Sequence, residues 1–107
     1  FIKNFDAESI GLNLDIGHFF CVGEDPSQVI DKLSEYVRHV HLEDISADRT
    51  HNHLILGEGA INIDSALRSL NDIGYEGFVT VELYPYQECP AYAAREAMKF
   101  IKSLDYL

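Results

Sequence analysis

The sequence predicts an α/β fold made of three consecutive strand–helix units. Three short apolar runs have the length and β-branched content of buried strands, and each is followed by a segment with amphipathic helical spacing. Strands that alternate with helices run parallel and are joined by right-handed crossovers. All 107 residues are therefore predicted to form a single unit, with one parallel sheet covered by helices.

The first unit joins a strand at residues 10–15 to a helix at about residues 26–35. Asp25 is a favourable N-cap residue for this helix, and Pro26 occupies the first helical position, where proline is favoured. Residues 1–8 carry apolar side chains with no helix start before them. We therefore expect them to end an element that begins earlier, in a longer protein.

The segment after the first strand is predicted to turn sharply. Gly17 permits a tight turn, which would bring His18 back over the end of the strand. His18 would either contact a ligand there or cap the turn through a hydrogen bond. Phe19 and Phe20 are expected to form a wall of the same site.

The second unit begins with a strand at residues 37–44. Alternation places His39, His41 and Glu43 on one side of it. His39 lies deeper, where packing is the expected role, whereas His41 lies near the carboxyl end. Glu43 and Asp44 either hold His41 in one tautomer or begin a solvated loop, and the sequence leaves both interpretations open.

A long polar loop, residues 45–59, follows this strand, and long loops in compact domains are commonly functional. Of its histidines, we favour His53 as a substrate contact, because the glycine turn after it allows close approach to a ligand. Arg49 would meet an anionic substrate group or remain solvated. Asn62 or its neighbour is predicted to cap the second helix, which ends at Gly74.

The third unit comprises a strand at residues 78–83 and a helix at residues 91–104. Between them, Tyr84 and Tyr86 flank a proline that enforces an extended exit from the strand. The two rings would form either an aromatic wall of a site or a packed rim.

Each predicted strand ends in a side chain that can bind a metal. These side chains are Asp15, His41 and Glu82. Carboxyl ends of parallel strands meet at one edge of a sheet, and ligands bind there in α/β folds. One buried strand with a structural histidine would explain His41 alone. It would not explain why all three strands end in a side chain that can bind a metal. The sequence therefore predicts a shared site.

Composition limits the classes of partner. The net charge of −10, from 18 acidic and 8 basic residues, argues against a nucleic-acid-binding surface. No window is long enough to span a membrane. Cys21 and Cys89 lack paired spacing, which suits a reducing compartment. A cytoplasmic location is the expectation, with neither a nucleic acid nor a membrane as partner.

Five motifs together resemble one family. They occur in order at residues 15–18, 39–44, 57–59, 74–77 and 81–82. In this order they are similar to the xylose isomerase-like TIM barrels, which include sugar phosphate isomerases and epimerases and endonuclease IV. The resemblance implies an eight-stranded barrel. Only one helix follows Glu82, so the chain would be its C-terminal portion, the sixth to eighth βα units.

The resemblance also implies a ligand set. Sugar-isomerising members hold a divalent metal with two glutamates, one aspartate and one histidine, and here the matching positions are Asp15, His41 and Glu82. The first glutamate would lie on a preceding strand. Glu82 would also act as an acid or base in catalysis, and His18 would bind substrate. Two carboxylates and an imidazole suit Mn²⁺, Mg²⁺ or Co²⁺ and accept Zn²⁺.

The function implied is metal-dependent isomerisation or epimerisation of a sugar, sugar phosphate or similar polyol. The alternatives are a lyase or dehydratase of the same barrel, an endonuclease, or a non-catalytic fragment that self-associates. The endonuclease branch has an Asp-x-His pair where this chain has His51-Asn52-His53, which disfavours that branch. Three units leave two sheet edges bare. Further copies of the chain, or the preceding part of a barrel, are expected to cover them.

Overall fold

The computed structural model describes residues 1–104 and confirms the predicted α/β architecture. Three parallel strands form one sheet in the order β1-β2-β3, and they span Leu12–Asp15, Val37–Leu42 and Val79–Val81. The α-helices of the described residues are α1 at Ile16–Cys21, α2 at Pro26–Lys32, α3 at Ile63–Asp72 and α4 at Pro90–Lys102. None of the helices within this range has the length and hydrophobicity that a membrane crossing requires.

The two faces of the sheet differ in chemistry. Leu14, Val40 and Leu42 are completely buried on the face that the helices cover. On the opposite face, the adjacent positions Asn13 and His39 carry polar side chains that remain at least partly exposed. Because strand side chains alternate between faces, the apolar positions build the core and the polar positions are left on an open surface.

Helices α2 and α3 supply most of the second layer. Val29 and Ile30 of α2 are buried in the core cluster together with Ile63 and Leu70 of α3. Each helix is amphipathic and buries only its apolar side. The core therefore lies between the sheet and this pair of helices.

The predicted caps are confirmed. Asp25 Oδ1 accepts a hydrogen bond from the Ser27 backbone N–H at 3.0 Å, and Asn62 Oδ1 accepts one from the Ser65 N–H at 3.0 Å. Gly74 lies just beyond α3 with φ of 73°, a conformation that favours glycine. Local sequence signals therefore place the starts of α2 and α3 and the end of α3.

The turn predicted at Gly17 and several predicted boundaries were wrong. The segment at Gly17 is not a tight turn, because Gly17 lies within α1. The helix predicted at residues 26–35 ends at Lys32 and is followed by a 3-10 turn, Ser34–Tyr36. The third strand begins at Val79, one residue later than expected, and it ends at Val81.

Candidate metal centre

The structure brings Asp15, His41 and Glu82 together at the carboxyl edge of the sheet. Strand register places Asp15 beside His41, and the Glu82 N–H donates to the Leu42 carbonyl oxygen at 3.0 Å. His41 Nδ1 lies 3.0 Å from Glu82 Oε1 and 3.9 Å from Asp15 Oδ2. One potential ligand atom from each of the three lies within 4.8 Å of the others. The three side chains are partly exposed, so a ligand can reach them.

Asp15 is fixed in this position by the start of α1. Its Oδ1 accepts the His18 backbone N–H at 3.0 Å, which makes Asp15 the N-cap of that helix. Burial acts to raise the pKa of Asp15, but hydrogen bonds with the Glu43 side chain and the His18 N–H outweigh it and lower the pKa below its usual value. Asp15 is therefore an anion at neutral pH.

Glu43 is completely buried behind Asp15. Its Oε1 accepts the Gly17 backbone N–H at 2.7 Å. Burial, followed by the hydrogen bond to Asp15 and the charge of Asp15, raises the pKa of Glu43 to about 9. The interpretation of Glu43 as part of a solvated loop was wrong. It supports Asp15 rather than His41, because it approaches the Asp15 side chain and the first turn of α1.

Gly17→Ala is expected to destabilise the protein by about 1–3 kcal/mol through overpacking. A Cβ at this position would lie 1.9 Å from Glu43 Oε1, and both groups are buried. Urea unfolding of the single variants and of Gly17→Ala/Glu43→Ala would measure the coupling. Truncating Glu43 removes the clash, so Gly17→Ala should cost much less stability in a protein that already carries Glu43→Ala. An equal loss of stability with and without the Glu43 side chain would show that the clash is not the cause.

Asp44 organises the long loop. It is buried, and its two carboxylate oxygens accept four backbone N–H groups, from Ile45, Gly57 and Gly59 at 2.9 Å and from Ile61 at 3.1 Å. A solvated loop start was therefore also the wrong interpretation for Asp44. The sequence-based prediction did not foresee that one carboxylate ties together the two ends of this loop.

The loop brings His53 to the site. An antiparallel bridge between Asp44 and Leu54 fixes the neighbouring backbone, and His53 is buried. Its Nε2 lies 3.1 Å from His51 Nε2, and its ring packs edge to face on Tyr84 with centroids 4.6 Å apart. Burial and the neighbouring His51 lower the pKa of His53. His53 is therefore a neutral imidazole beside the Asp15, His41 and Glu82 group.

His18 lies on the outer side of the same edge. Its Nε2 is 3.8 Å from Asp15 Oδ2, and its ring contacts the His51 ring with centroids 4.5 Å apart. The His18 side chain is 62% exposed. The structure thus places His18 where substrate could meet it, and substrate binding by His18 and His53 stays a prediction.

Other candidates have structural partners. His39 Nε2 lies 3.2 Å from Thr80 Oγ1, consistent with the structural role predicted for it. Arg49 donates to the Phe20 carbonyl oxygen, and its guanidinium lies 4.2 Å from the centroid of the Phe20 ring. The Tyr86 hydroxyl accepts the Ile55 N–H at 3.1 Å, which favours the packed-rim interpretation for that ring.

Comparison with known proteins identifies relatives along almost the whole chain. The chain is 35% identical over 92 residues to fructoselysine 3-epimerase of Escherichia coli O157:H7. This alignment covers 85% of this chain and 33% of that protein. It is 30% identical over 118 residues to inosose dehydratase of Clostridium beijerinckii, with 91% of this chain and 39% of that protein covered. The chain thus spans about a third of the length of these curated relatives.

Solved structures show the same fold. A D-tagatose 3-epimerase-like protein superposes with a TM-score of 0.67 and 27% identity, covering 94% of this chain and 40% of that one. A family model described as xylose isomerase-like TIM barrel matches residues 1–104. The sheet and helices described above are therefore part of a TIM barrel, and the chain belongs to the xylose isomerase-like TIM barrel family.

Proposed function

We propose that this chain supplies three ligands, Asp15, His41 and Glu82, to a divalent-metal-dependent enzyme that isomerises or epimerises a sugar, a sugar phosphate or a similar polyol. The observation that carries the proposal is the convergence of these three side chains within 4.8 Å at the carboxyl ends of adjacent parallel strands. Two carboxylates and an imidazole fit Mn²⁺, Co²⁺, Mg²⁺ or Zn²⁺. A fourth ligand, a glutamate on a preceding strand, would come from another part of the barrel.

The residues of this chain have distinct roles in the proposed reaction. When bound, the metal polarises the carbonyl group and adjacent hydroxyl of the sugar and lowers the barrier to proton removal from the neighbouring carbon. Glu82 moves that proton. Its carboxylate lies at the strand end and is partly exposed, so substrate can reach it. Asp15 remains anionic and binds the metal. His18 orients a substrate hydroxyl from the exposed side, and the neutral His53 contacts substrate from the loop.

A dehydratase is the second candidate, because one of the relatives is a dehydratase. Inosose dehydratase matches 91% of this chain at 30% identity. Both reactions begin with removal of a proton next to a carbonyl, and the dehydratase then expels a hydroxyl group from the adjacent carbon. The same residues would serve both reactions, so substrate profiling separates the two.

Metal removal tests the proposal. The protein that carries this chain would be incubated with ketoses, aldoses, their phosphates and inososes in ²H₂O with Mn²⁺, and NMR would follow deuterium entering at the carbon next to the carbonyl. We expect exchange that EDTA abolishes and added Mn²⁺ restores. Loss of water from the substrate would identify the dehydratase. Exchange that persists unchanged after complete metal removal would contradict both candidates.

A further inference from the structure

We propose that His51 is a further substrate-binding residue, whose ring atom Nδ1 accepts a hydrogen bond from a substrate hydroxyl group. The inference rests on the proposed function, since it names a further contact of the same substrate. His51 lies in the long loop and is exposed, whereas His53, two residues later, is buried. Of the two rings, that of His51 is therefore the more accessible to a ligand.

His51 is the middle member of a row of rings beside the metal centre. Its ring contacts those of His18 and His53 edge to face, with centroids 4.5 and 5.0 Å apart. At one end of the row, His18 Nε2 lies 3.8 Å from Asp15 Oδ2. At the other end, the His53 ring hydrogen-bonds to the backbone of Glu82. The row thus extends from one proposed metal ligand to another, and its exposed middle ring borders the space that substrate would enter.

The contacts of His53 determine which nitrogen of His51 carries the hydrogen. The Glu82 backbone offers a carbonyl oxygen, which a ring N–H of His53 must donate to, and Nε2 of His53 already faces His51 Nε2 at 3.1 Å. Nδ1 of His53 is therefore the donor to Glu82. Because His53 is neutral, its Nε2 is then an acceptor. The hydrogen between the two rings must come from Nε2 of His51.

This tautomer defines the kind of group that His51 binds. A neutral imidazole carries one hydrogen, so Nδ1 of His51 is an acceptor and not a donor. A hydroxyl group can supply a hydrogen to it, whereas a carbonyl oxygen cannot. Sugars and polyols carry several hydroxyl groups, and a fixed acceptor favours substrates that place one of them at Nδ1. No bond changes at His51, so the contact affects substrate binding and specificity rather than the chemical step.

Histidine NMR tests the tautomer on the protein that carries this chain. Long-range ¹H–¹⁵N spectra of ¹⁵N-histidine-labelled protein would be recorded at about pH 8, where an ordinary imidazole is neutral. The signals that disappear in His51→Gln belong to His51. We expect the hydrogen on Nε2 of His51 and on Nδ1 of His53. An equal or greater share of hydrogen on Nδ1 of His51 would overturn the inference.

Two substitutions separate substrate binding from a purely structural role. Deuterium exchange with Mn²⁺ gives KM and kcat for D-fructose, scyllo-inosose and every other sugar that exchanges. Glutamine can replace the Nε2–H group that bonds His53 but has no acceptor at the place of Nδ1, so His51→Gln should raise KM about 10-fold with little change in kcat. Asparagine places its amide oxygen near the position of Nδ1, so His51→Asn should raise KM by less. The reverse order is expected if His51 only holds His53, and it would overturn the inference.

Asn52→Ala is the matched control, since Asn52 is exposed in the same loop and is not a proposed metal ligand or substrate contact. It should keep the KM of the unmodified protein. An unchanged KM in His51→Gln, with metal-dependent exchange intact, would overturn the inference and leave the proposed function standing. Absence of metal-dependent exchange with every sugar would overturn the proposed function and the inference with it.

Discussion

Glu82→Gln is expected to lower kcat by at least about 100-fold while leaving the protein folded. The substitution removes a metal ligand and the group proposed to move the proton, and general acid–base catalysis alone contributes about 10²–10⁴ in rate. Glutamine has nearly the same shape, and the Glu82 side chain is 32% exposed. We therefore expect the free energy of unfolding to change by less than about 1 kcal/mol. Deuterium exchange at saturating Mn²⁺ measures kcat, and calorimetry measures Mn²⁺ affinity, which should also weaken.

Glu88→Gln is the matched control for this experiment. Glu88 lies in the segment after β3, like Glu82, but it is exposed and is not one of the three proposed metal ligands. The same change of charge should leave exchange and Mn²⁺ affinity almost unaltered. Full exchange activity in Glu82→Gln would contradict the role assigned to Glu82, even if the family membership stands.

Asp44→Asn is expected to destabilise the protein by about 3 kcal/mol or more, although it changes the side chain by one atom. Each oxygen of Asp44 accepts two backbone N–H groups. An amide retains one acceptor oxygen and turns its NH₂ group toward two N–H donors, which leaves those donors without their partner. Hydrogen bonds to charged groups contribute about 1.5–3 kcal/mol each. Urea unfolding followed by circular dichroism measures the change.

Asp48→Asn provides the comparison within the same loop. Asp48 also accepts hydrogen bonds, from the Ser46 hydroxyl at 2.6 Å and the Thr50 N–H at 3.0 Å, but it is exposed to water. Water can replace those partners, so the expected cost is below about 1 kcal/mol. Similar losses for Asp44→Asn and Asp48→Asn would show that Asp44 does not hold the loop together.

The sequence was sufficient to predict the meeting of Asp15, His41 and Glu82. Each side chain follows a short apolar run, and parallel strands bring their carboxyl ends to one edge whatever the details of the connections. The caps at Asp25 and Asn62 were predictable for a similar reason, because each bonds a backbone N–H only two or three residues away. Both results depend on short sequence separations or on a general rule of topology.

The roles of Glu43 and Asp44 could not be predicted in the same way. Glu43 meets Gly17, which lies 26 residues earlier in the chain, and Asp44 meets N–H groups up to 17 residues later. Adjacent carboxylates with the same side-chain chemistry thus acquire different functions from partners that only the folded loop brings near. The periodicity did place Glu43 on the side of His41, but periodicity gives no information about burial at a strand end.

The division of the sheet into an apolar and a polar face has a consequence for how this protein can change. Leu14, Val40 and Leu42 determine whether the sheet stays folded, whereas Asp15 and His41, at alternate positions, determine what the edge binds. Neighbouring residues on one strand are thus under different selection, one for packing and the next for binding. Binding chemistry can diversify on one face while the packing on the other is preserved, which is consistent with relatives that include both an epimerase and a dehydratase.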